Sequence, residues 1–475
     1  MISVVPILMA VLCGVLAVRA KDSRAFFDVR RETTIVLAAG AFACAALWLT
    51  MGQRLTLLST PIPGYGLVFS AAGFLGLVPF VNALVGMLAV ALADSISHSI
   101  ATLRRILALL MVAMVFVASS EPWVLVVAWG LSPLIVWTEL RTRYGSRGVA
   151  RLFAVFQLPS ILLFCGAMVV DDPGRSVWLA ATVLAAIGIR EAAIPGHSWF
   201  LRFVEDAPMG LVVAFVAPQL GVYAHVEVFG DGIPAELVRV VAAFGAVTAL
   251  VAGALGTVQS STRRALAYLM MSQTGLVAFG IEGGSQVAFA GSLLAWQVLA
   301  VATSGFAMTA SALEARRGRR PLSEYSGCFR RTPRMAAAFL MMGLGSVGFP
   351  MTLGFVAEDL LVQGSVGEFP FLAFVLIVAT ALNGMNVMRL FFHLFSGRRE
   401  HSGETDLTFR EAWALSAILL LLLAGGLVPG AITSREFKAA PGQGRSHHAA
   451  SGISAGSVPF AGTPHARPSE SSAID

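Results

Sequence analysis

The sequence predicts an all-α, polytopic membrane protein of about fourteen transmembrane helices, two of them broken near their middles. Three observations lead there. First, of 475 residues 57% are hydrophobic and only 13% charged, and the mean hydropathy is +0.78. Soluble domains carry about 25% charged residues, so this chain has too few to solvate a water-facing surface. Second, its apolar runs reach the ~20 residues that a spanning helix needs. Third, its basic residues keep to alternate loops. A cytosolic enzyme, a secreted disulfide scaffold and a nucleic-acid binder are excluded. The net charge of +6 is read as topology, not as the mark of an acidic partner.

In lipid, every backbone polar group must be paired within its own segment, so the apolar runs are read as helices. They fall at about 2–18, 34–51, 68–93, 106–120, 122–138, 149–170, 177–195, 208–228, 237–259, 265–281, 287–312, 335–361, 370–395 and 411–431. The fourth and fifth meet at Glu121 and Pro122. The first has no basic residue before it and no small-residue cleavage site, and is expected to be an uncleaved span. From about residue 436 the chain is rich in Gly, Ser, Ala, Pro and His, without apolar periodicity, and a disordered tail is expected. His447 and His448 belong to that tail.

The loop charges test the helix count. Loops after odd-numbered spans hold 24 basic residues, and loops after even-numbered spans hold three, Arg54, Arg175 and Arg239. The even loops are acidic instead, with Glu121, Asp171, Asp172, Asp231, Glu236, Glu282 and Glu368. A Lys and Arg excess marks the cytoplasmic side, so both termini are expected on the other side of what would be a bacterial plasma membrane. Only Lys21 and Lys438 are lysines, so a lysine buried at mid-membrane is not on offer. Cys13, Cys44, Cys165 and Cys328 are scattered without a CxxC pair, and no metal site is expected on the chain.

Charge inside apolar runs is expensive and marks function or a partner. The residues concerned are Glu139 in the fifth span, Arg190 and Glu191 in the seventh, His225 and Glu227 in the eighth, Glu358 and Asp359 in the twelfth, and Arg389 and His393 in the thirteenth. Those near helix ends have snorkelling as the plainer reading. Pro195 lies in Gly188-Ile-Arg-Glu-Ala-Ala-Ile-Pro-Gly-His-Ser-Trp199, and Pro350 in Gly345-Ser-Val-Gly-Phe-Pro-Met-Thr-Leu-Gly-Phe-Val-Ala-Glu-Asp359. Each proline breaks a helix ladder beside glycine and charge. Such interruptions at matching places in two halves point to an ion path. Five helices separate them, and an odd offset makes the halves inverted repeats.

These segments resemble the antiporter-like membrane subunits of respiratory complex I (subunits L, M and N), the Mrp cation/proton antiporters and membrane-bound hydrogenase subunits, over about residues 65–400. Three stretches carry the likeness: Ile189 to Trp199 with Asp206-Ala-Pro208 and Leu220-Gly-Val-Tyr223; Arg263-Arg-Ala-Leu-Ala-Tyr268 with Ser272-Gln-Thr-Gly275; and Gly348-Phe-Pro350 through Glu358, a glutamate most like that of subunit M. The resemblance implies fourteen helices with two inverted five-helix repeats, spans 4–8 and 9–13. The divisions would be 1–105 for the first three helices, 106–230 and 231–398 for the repeats, 399–435 for the last helix and 436–475 for the tail. It also implies a proton path near mid-membrane through both broken helices.

The chain departs from the family pattern at several positions. The family's fifth-span glutamate follows a tryptophan, but here Trp129 is followed by Gly130, and Glu139 lies about two and a half turns on. Arg190 replaces a lysine, and arginine holds its proton too firmly to relay it. Gln219 stands for the eighth-span lysine, and Trp296, Ala300 and Ser304 stand for His, His and Lys in the eleventh span.

Three readings follow. In the first, the chain is a proton-translocating, subunit-M-like part of a complex I-type assembly. Glu358 is then the protonatable carboxylate of the second half, Arg190 a fixed counter-charge, Glu191 its neighbour, and Glu139 a displaced substitute. His197 and Asp206 would lie near the cytoplasmic mouth, and Gln219, Ser304 and His225 along the path. Its partners would be other membrane subunits, protons or Na+, and lipid. In the second, it is a non-conducting structural paralogue. In the third, favoured by Trp129-Gly-Leu-Ser132, it is the membrane half of an inorganic-carbon pump beside a large zinc-dependent, carbonic-anhydrase-like subunit. No phosphate-cradling loop, zinc-ligand spacing or nucleophile–base pair is present. The chain is therefore expected to hold no cofactor, with redox chemistry left to partners.

Overall fold

A computed structural model of the chain describes residues 2–50, 57–59, 66–68, 73–170, 176–230, 232–397 and 405–430. The expected tail lies outside the described residues. The chain opens with α1 (Val4–Arg19), α2 (Phe26–Thr50), α3 (Gly73–Ala91) and α4 (Ile100–Ala118). There follow α5 (Pro122–Thr142), α6 (Arg147–Met168), α7 (Val177–Arg190), α8 (Ser198–Asp206), α9 (Met209–Val216) and α10 (Leu220–Val228). The second half holds α11 (Ala235–Thr257), α12 (Thr262–Ile281), α13 (Gln286–Val298), a π-helical turn (Leu299–Thr303), α14 (Ser304–Arg317), α15 (Pro333–Ser346), α16 (Leu353–Ser365), α17 (Pro370–Phe395) and α18 (Phe409–Leu427). Among the described residues, nine helical stretches are long and apolar enough to cross a membrane, and Val5–Arg19, Leu77–Ala91 and Val177–Arg190 are shorter apolar helices.

Polar side chains set several helix ends. Ser99 and Thr102 form a reciprocal capping box that starts α4, and Thr408 and Glu411 do the same for α18. Helix α2 begins two turns before the apolar run, and in that extension Glu32 pairs with Arg19 and Arg24, each at 2.7 Å. Small residues let helices approach closely. A Cβ at Gly275 would lie 2.7 Å from Gly245 O, so α11 and α12 meet almost backbone to backbone.

Two expectations need correction. The third span does not begin at residue 68. Val68 belongs to β3 (Gly66–Val68), which pairs in parallel with β1 (Ile2–Ser3) and antiparallel with β2 (Leu57–Ser59), and helix begins at Gly73. An apolar run alone does not separate strand from helix. The eighth span is not one helix. Pro218 lacks a backbone donor, and the chain turns through Gln219 at φ +38° between α9 and α10.

The two expected breaks are present. Residues 191–197 separate α7 from α8, with Ala192 at φ +58° and a cis bond before Pro195. Residues 347–352 separate α15 from α16 and contain Pro350, with Gly348 at φ +69° and Met351 at φ +72°.

Candidate functional site at the broken helices

At the first break, α7 ends in Arg190, which is buried. Its Nη2 donates to Ser132 Oγ at 2.8 Å and its Nη1 to Trp129 O at 3.3 Å, both on α5. The guanidinium lies 4.5 Å from the Trp129 ring centroid and 4.9 Å from that of Phe215. Trp129 is fixed by stacking on Phe164 and by its Nε1 donating to Ser160 Oγ at 3.3 Å. The cation thus sits beside Gly130, where the family pattern has a carboxylate.

The next residue, Glu191, supplies a carboxylate from the break itself. Its Oε1 accepts from the Gly221 N–H at 2.9 Å, at the start of α10. A Cβ at Gly221 would lie 2.5 Å from that oxygen, so any other residue there would push the carboxylate away from the N–H. A void of about 10 Å³ is bounded by Arg190, Glu191 and Thr274, near the minimum for one water. Thr274 Oγ1 accepts from Gln219 Nε2 at 3.1 Å. Gln219 Oε1 is buried and without a hydrogen-bond partner among the described residues.

Gln273, beside Thr274 on α12, turns to the other half. Its Oε1 accepts from Thr303 Oγ1 at 2.9 Å, and its Nε2 donates to Ser346 O at the end of α15. Ser304, also buried, follows Thr303. Trp296 Nε1 donates to Ala217 O at 3.0 Å, satisfying a carbonyl freed by the break at Pro218. At the second break, Glu358 on α16 folds back over Gly348, where a Cβ would collide with its carboxylate. Its other neighbour is the Thr380 hydroxyl on α17.

The structure therefore gathers Arg190, Glu191, Gln219 and His225 around the first break, with Glu358 at the second. Other candidates stand apart. Glu139 is buried and accepts from Thr102 at 2.9 Å and from Arg105 on α4, with Arg143 at 3.7 Å. His197 precedes α8, and its Nδ1 has no hydrogen-bond partner among the described residues. Asp206 ends α8, where Arg263 donates to the carbonyls of Val204, Glu205 and Ala207 and binds Glu314 at 2.8 Å. A guanidinium there complements the helix dipole. Arg389 donates to Gln259 O, and His393 stacks on Tyr325.

Three features escaped the sequence reading. The Pro218 break had a signal, a proline within an apolar run. Thr274 and Gln273 had only their place after the Arg263 stretch. Glu282 had been assigned to a loop, but its Oε1 lies 2.7 Å from His225 Nε2, and both side chains are buried.

Between α3 and α4, Asp94 and His98 tie the loop to α9. The Gly210 N–H donates to His98 Nε2 at 3.2 Å, which leaves the imidazole proton on Nδ1, facing Ser97 Oγ at 2.8 Å and Asp94 Oδ2 at 3.3 Å. Burial pushes the Asp94 carboxyl upward, but hydrogen bonds from His98 and Ser97 outweigh it and hold the group well below the usual carboxylate range.

A helical membrane protein whose helices are interrupted at 191–197, at Pro218 and at 347–352 around a shared polar centre defines the class. The chain belongs to the family described as NADH:quinone oxidoreductase/Mrp antiporter, transmembrane, whose profile matches residues 144–383. It is similar to the F(420)H(2) dehydrogenase subunit M of Methanosarcina mazei, 24% identical over 50% of this chain and 50% of that one. It is also similar to the NADH-quinone oxidoreductase subunit 14 of Thermus thermophilus, 26% identical over 85% of this chain and 92% of that one. The chain spans about half the length of the first relatives it matches. In fold it resembles a chain of respiratory complex I from Thermus thermophilus, with TM-score 0.80 at 20% identity, covering 92% of this chain and 98% of that one.

Proposed function

We propose that this integral membrane protein is the proton-translocating, antiporter-like subunit of a complex I-type assembly, closest in kind to subunit M. The observation that carries the reading is the pair Gln273 and Thr274. Consecutive on α12, they reach the second break through the Ser346 carbonyl and the first through Gln219 and the void beside Glu191. Uncharged amides and hydroxyls thus line the centre where the family pattern has lysine and histidine. With water between them, such groups pass protons without holding charge. Arg190 is the fixed cation, and Glu191 and Glu358 are the groups that load and unload. Family membership supports the same reading.

In this account fourteen helices span the membrane, and residues 106–230 and 231–398 are inverted repeats flanked by three helices before and one after. The membrane is a bacterial plasma membrane, with both termini on its non-cytoplasmic side. Other membrane subunits are the partners, protons the transported ion with Na+ as the rival, and the driving chemistry lies on other chains. Purification of the tagged protein from native membranes in mild detergent, with partners identified by mass spectrometry, tests this. Quinone- or hydrogenase-type subunits support it, and a single large zinc protein would favour the inorganic-carbon pump instead.

One observation favours a second reading, a non-conducting scaffold. The Trp296 indole caps Ala217 at the level where the family pattern has histidine, which fills space a relay would use. Under that reading the reconstituted wild-type chain carries no protons under an imposed potential.

A further inference from the structure

The position of the buried His225–Glu282 pair links it to the first break. Glu191 Oε1 is bound to the N–H of Gly221. His225 is four residues further along α10, on the same face and about 6 Å on. Glu191 and His225 line one cavity of 460 Å³ between α7, α10, α11 and α12, and its lining is otherwise apolar apart from Thr248 and Thr274. At the far end Glu282, next after the last residue of α12, meets His225 Nε2. Loop charge places this end on the arginine-poor side.

Among the described residues, the charged groups around the pair are few. From the first break come Arg190 and Glu191, and α12 brings Glu282. Helix α10 itself adds Glu227, which is beside Tyr223. The arginines of α4, Arg104 and Arg105, sit in its first turns, away from Val117, whose carbonyl accepts from Tyr223. Glu236 and Arg239 on α11 are exposed. An imidazole in contact with one carboxylate and a turn from another is suited to take a proton from one and give it to the other.

We propose that His225 and Glu282 are the proton outlet of the first repeat, fed by Glu191 across the cavity. The inference rests on the proton-translocating reading. Glu191 in its acid form releases a proton to a water held among Glu191, Thr248, Thr274 and His225, which delivers it to Nδ1 of His225. The imidazolium passes the proton on Nε2 to the Glu282 carboxylate, which releases it outward. The imidazole is left neutral with its proton on Nδ1, and rotation of the ring resets it.

The test uses the full-length chain in liposomes, with a valinomycin–potassium diffusion potential and an enclosed pH dye. Glu191→Gln, His225→Gln and Glu282→Gln each lower proton flux by at least about tenfold, and the His225→Gln/Glu282→Gln double variant is no slower than either alone. Glutamine keeps a hydrogen-bonding group at each site while abolishing titration, so folding is preserved. Wild-type flux in His225→Gln or Glu282→Gln, with Glu191→Gln blocked, overturns the outlet.

If the wild-type chain carries no protons, the translocation reading fails first. The connection is then decided by infrared titration of the Glu191 carboxyl band, assigned by its loss in Glu191→Gln. Connected groups move that midpoint by at least about half a pH unit in His225→Gln. An unmoved midpoint overturns the connection.

Discussion

The guanidinium of Arg190 lies 4.5 Å from the ring centroid of Trp129 and donates to that residue's own carbonyl. One side chain thus closes the end of α7 against the middle of α5. Arginine does this through its planar fork and its stacking face, which lysine lacks. Arg190→Lys keeps the charge but loses the bond to Ser132 or to Trp129 and most of the ring contact. A loss of about 1–3 kcal/mol is expected, read as a lower midpoint of thermal unfolding in detergent. An unchanged midpoint would show that charge alone is what the site needs.

Glu139 is held in a buried ion pair. Arg105 and Thr102 on α4 both bind its buried carboxylate. Glu139→Leu leaves the Arg105 charge facing an apolar side chain and costs about 1–3 kcal/mol. Adding Arg105→Met removes that charge and recovers at least half of the loss. A double variant as unstable as the single one would mean that the cost comes from packing instead.

Gly348 meets two demands at once. Its φ of +69° suits glycine, and the Glu358 carboxylate lies over it. Gly348→Ala adds left-handed strain of about 1–2 kcal/mol and pushes Glu358 aside. Expression persists, while proton flux falls as far as in Glu358→Gln. Wild-type flux in the alanine variant would separate Glu358's position from its role.

Asp94 gives the protein an acid limit. Its folded carboxyl is held below the ordinary range, so its share of stability is complete above the unfolded value of about 4 and is lost as pH falls from there. Asp94→Asn lowers stability at neutral pH and flattens the decline below about pH 4. Parallel pH–stability curves for variant and wild type would show that the His98 and Ser97 bonds do not stabilise the folded chain.

Much of this architecture is legible in the sequence because lipid imposes simple rules. Helix positions follow from apolar length, and Pro195 and Pro350 mark real interruptions because proline beside glycine cannot sustain a ladder. The break at Pro218 carried a proline signal, but hydropathy reads the apolar residues on both sides of it as one run. The His225–Glu282 contact was hidden for another reason. The residues are 57 apart in sequence, and an acidic residue at a loop reads as topology until folding brings it against a partner. Spacing alone set Glu139 well away from Trp129, but only the packing of α4 on α5 reveals Arg105 as its partner. The polar centre was least visible, since Gln273, Thr274 and Thr303 are ordinary residues until two breaks face them.

The central claim is that protons cross through the carboxylates at the two breaks. The most direct measurement is proton flux driven by an imposed potential through the full-length chain in liposomes, wild type against Glu358→Gln. The account predicts flux in the wild type and near-complete loss in the variant, with both chains equally folded and equally able to join their complex. Flux through Glu358→Gln at the wild-type rate would contradict it.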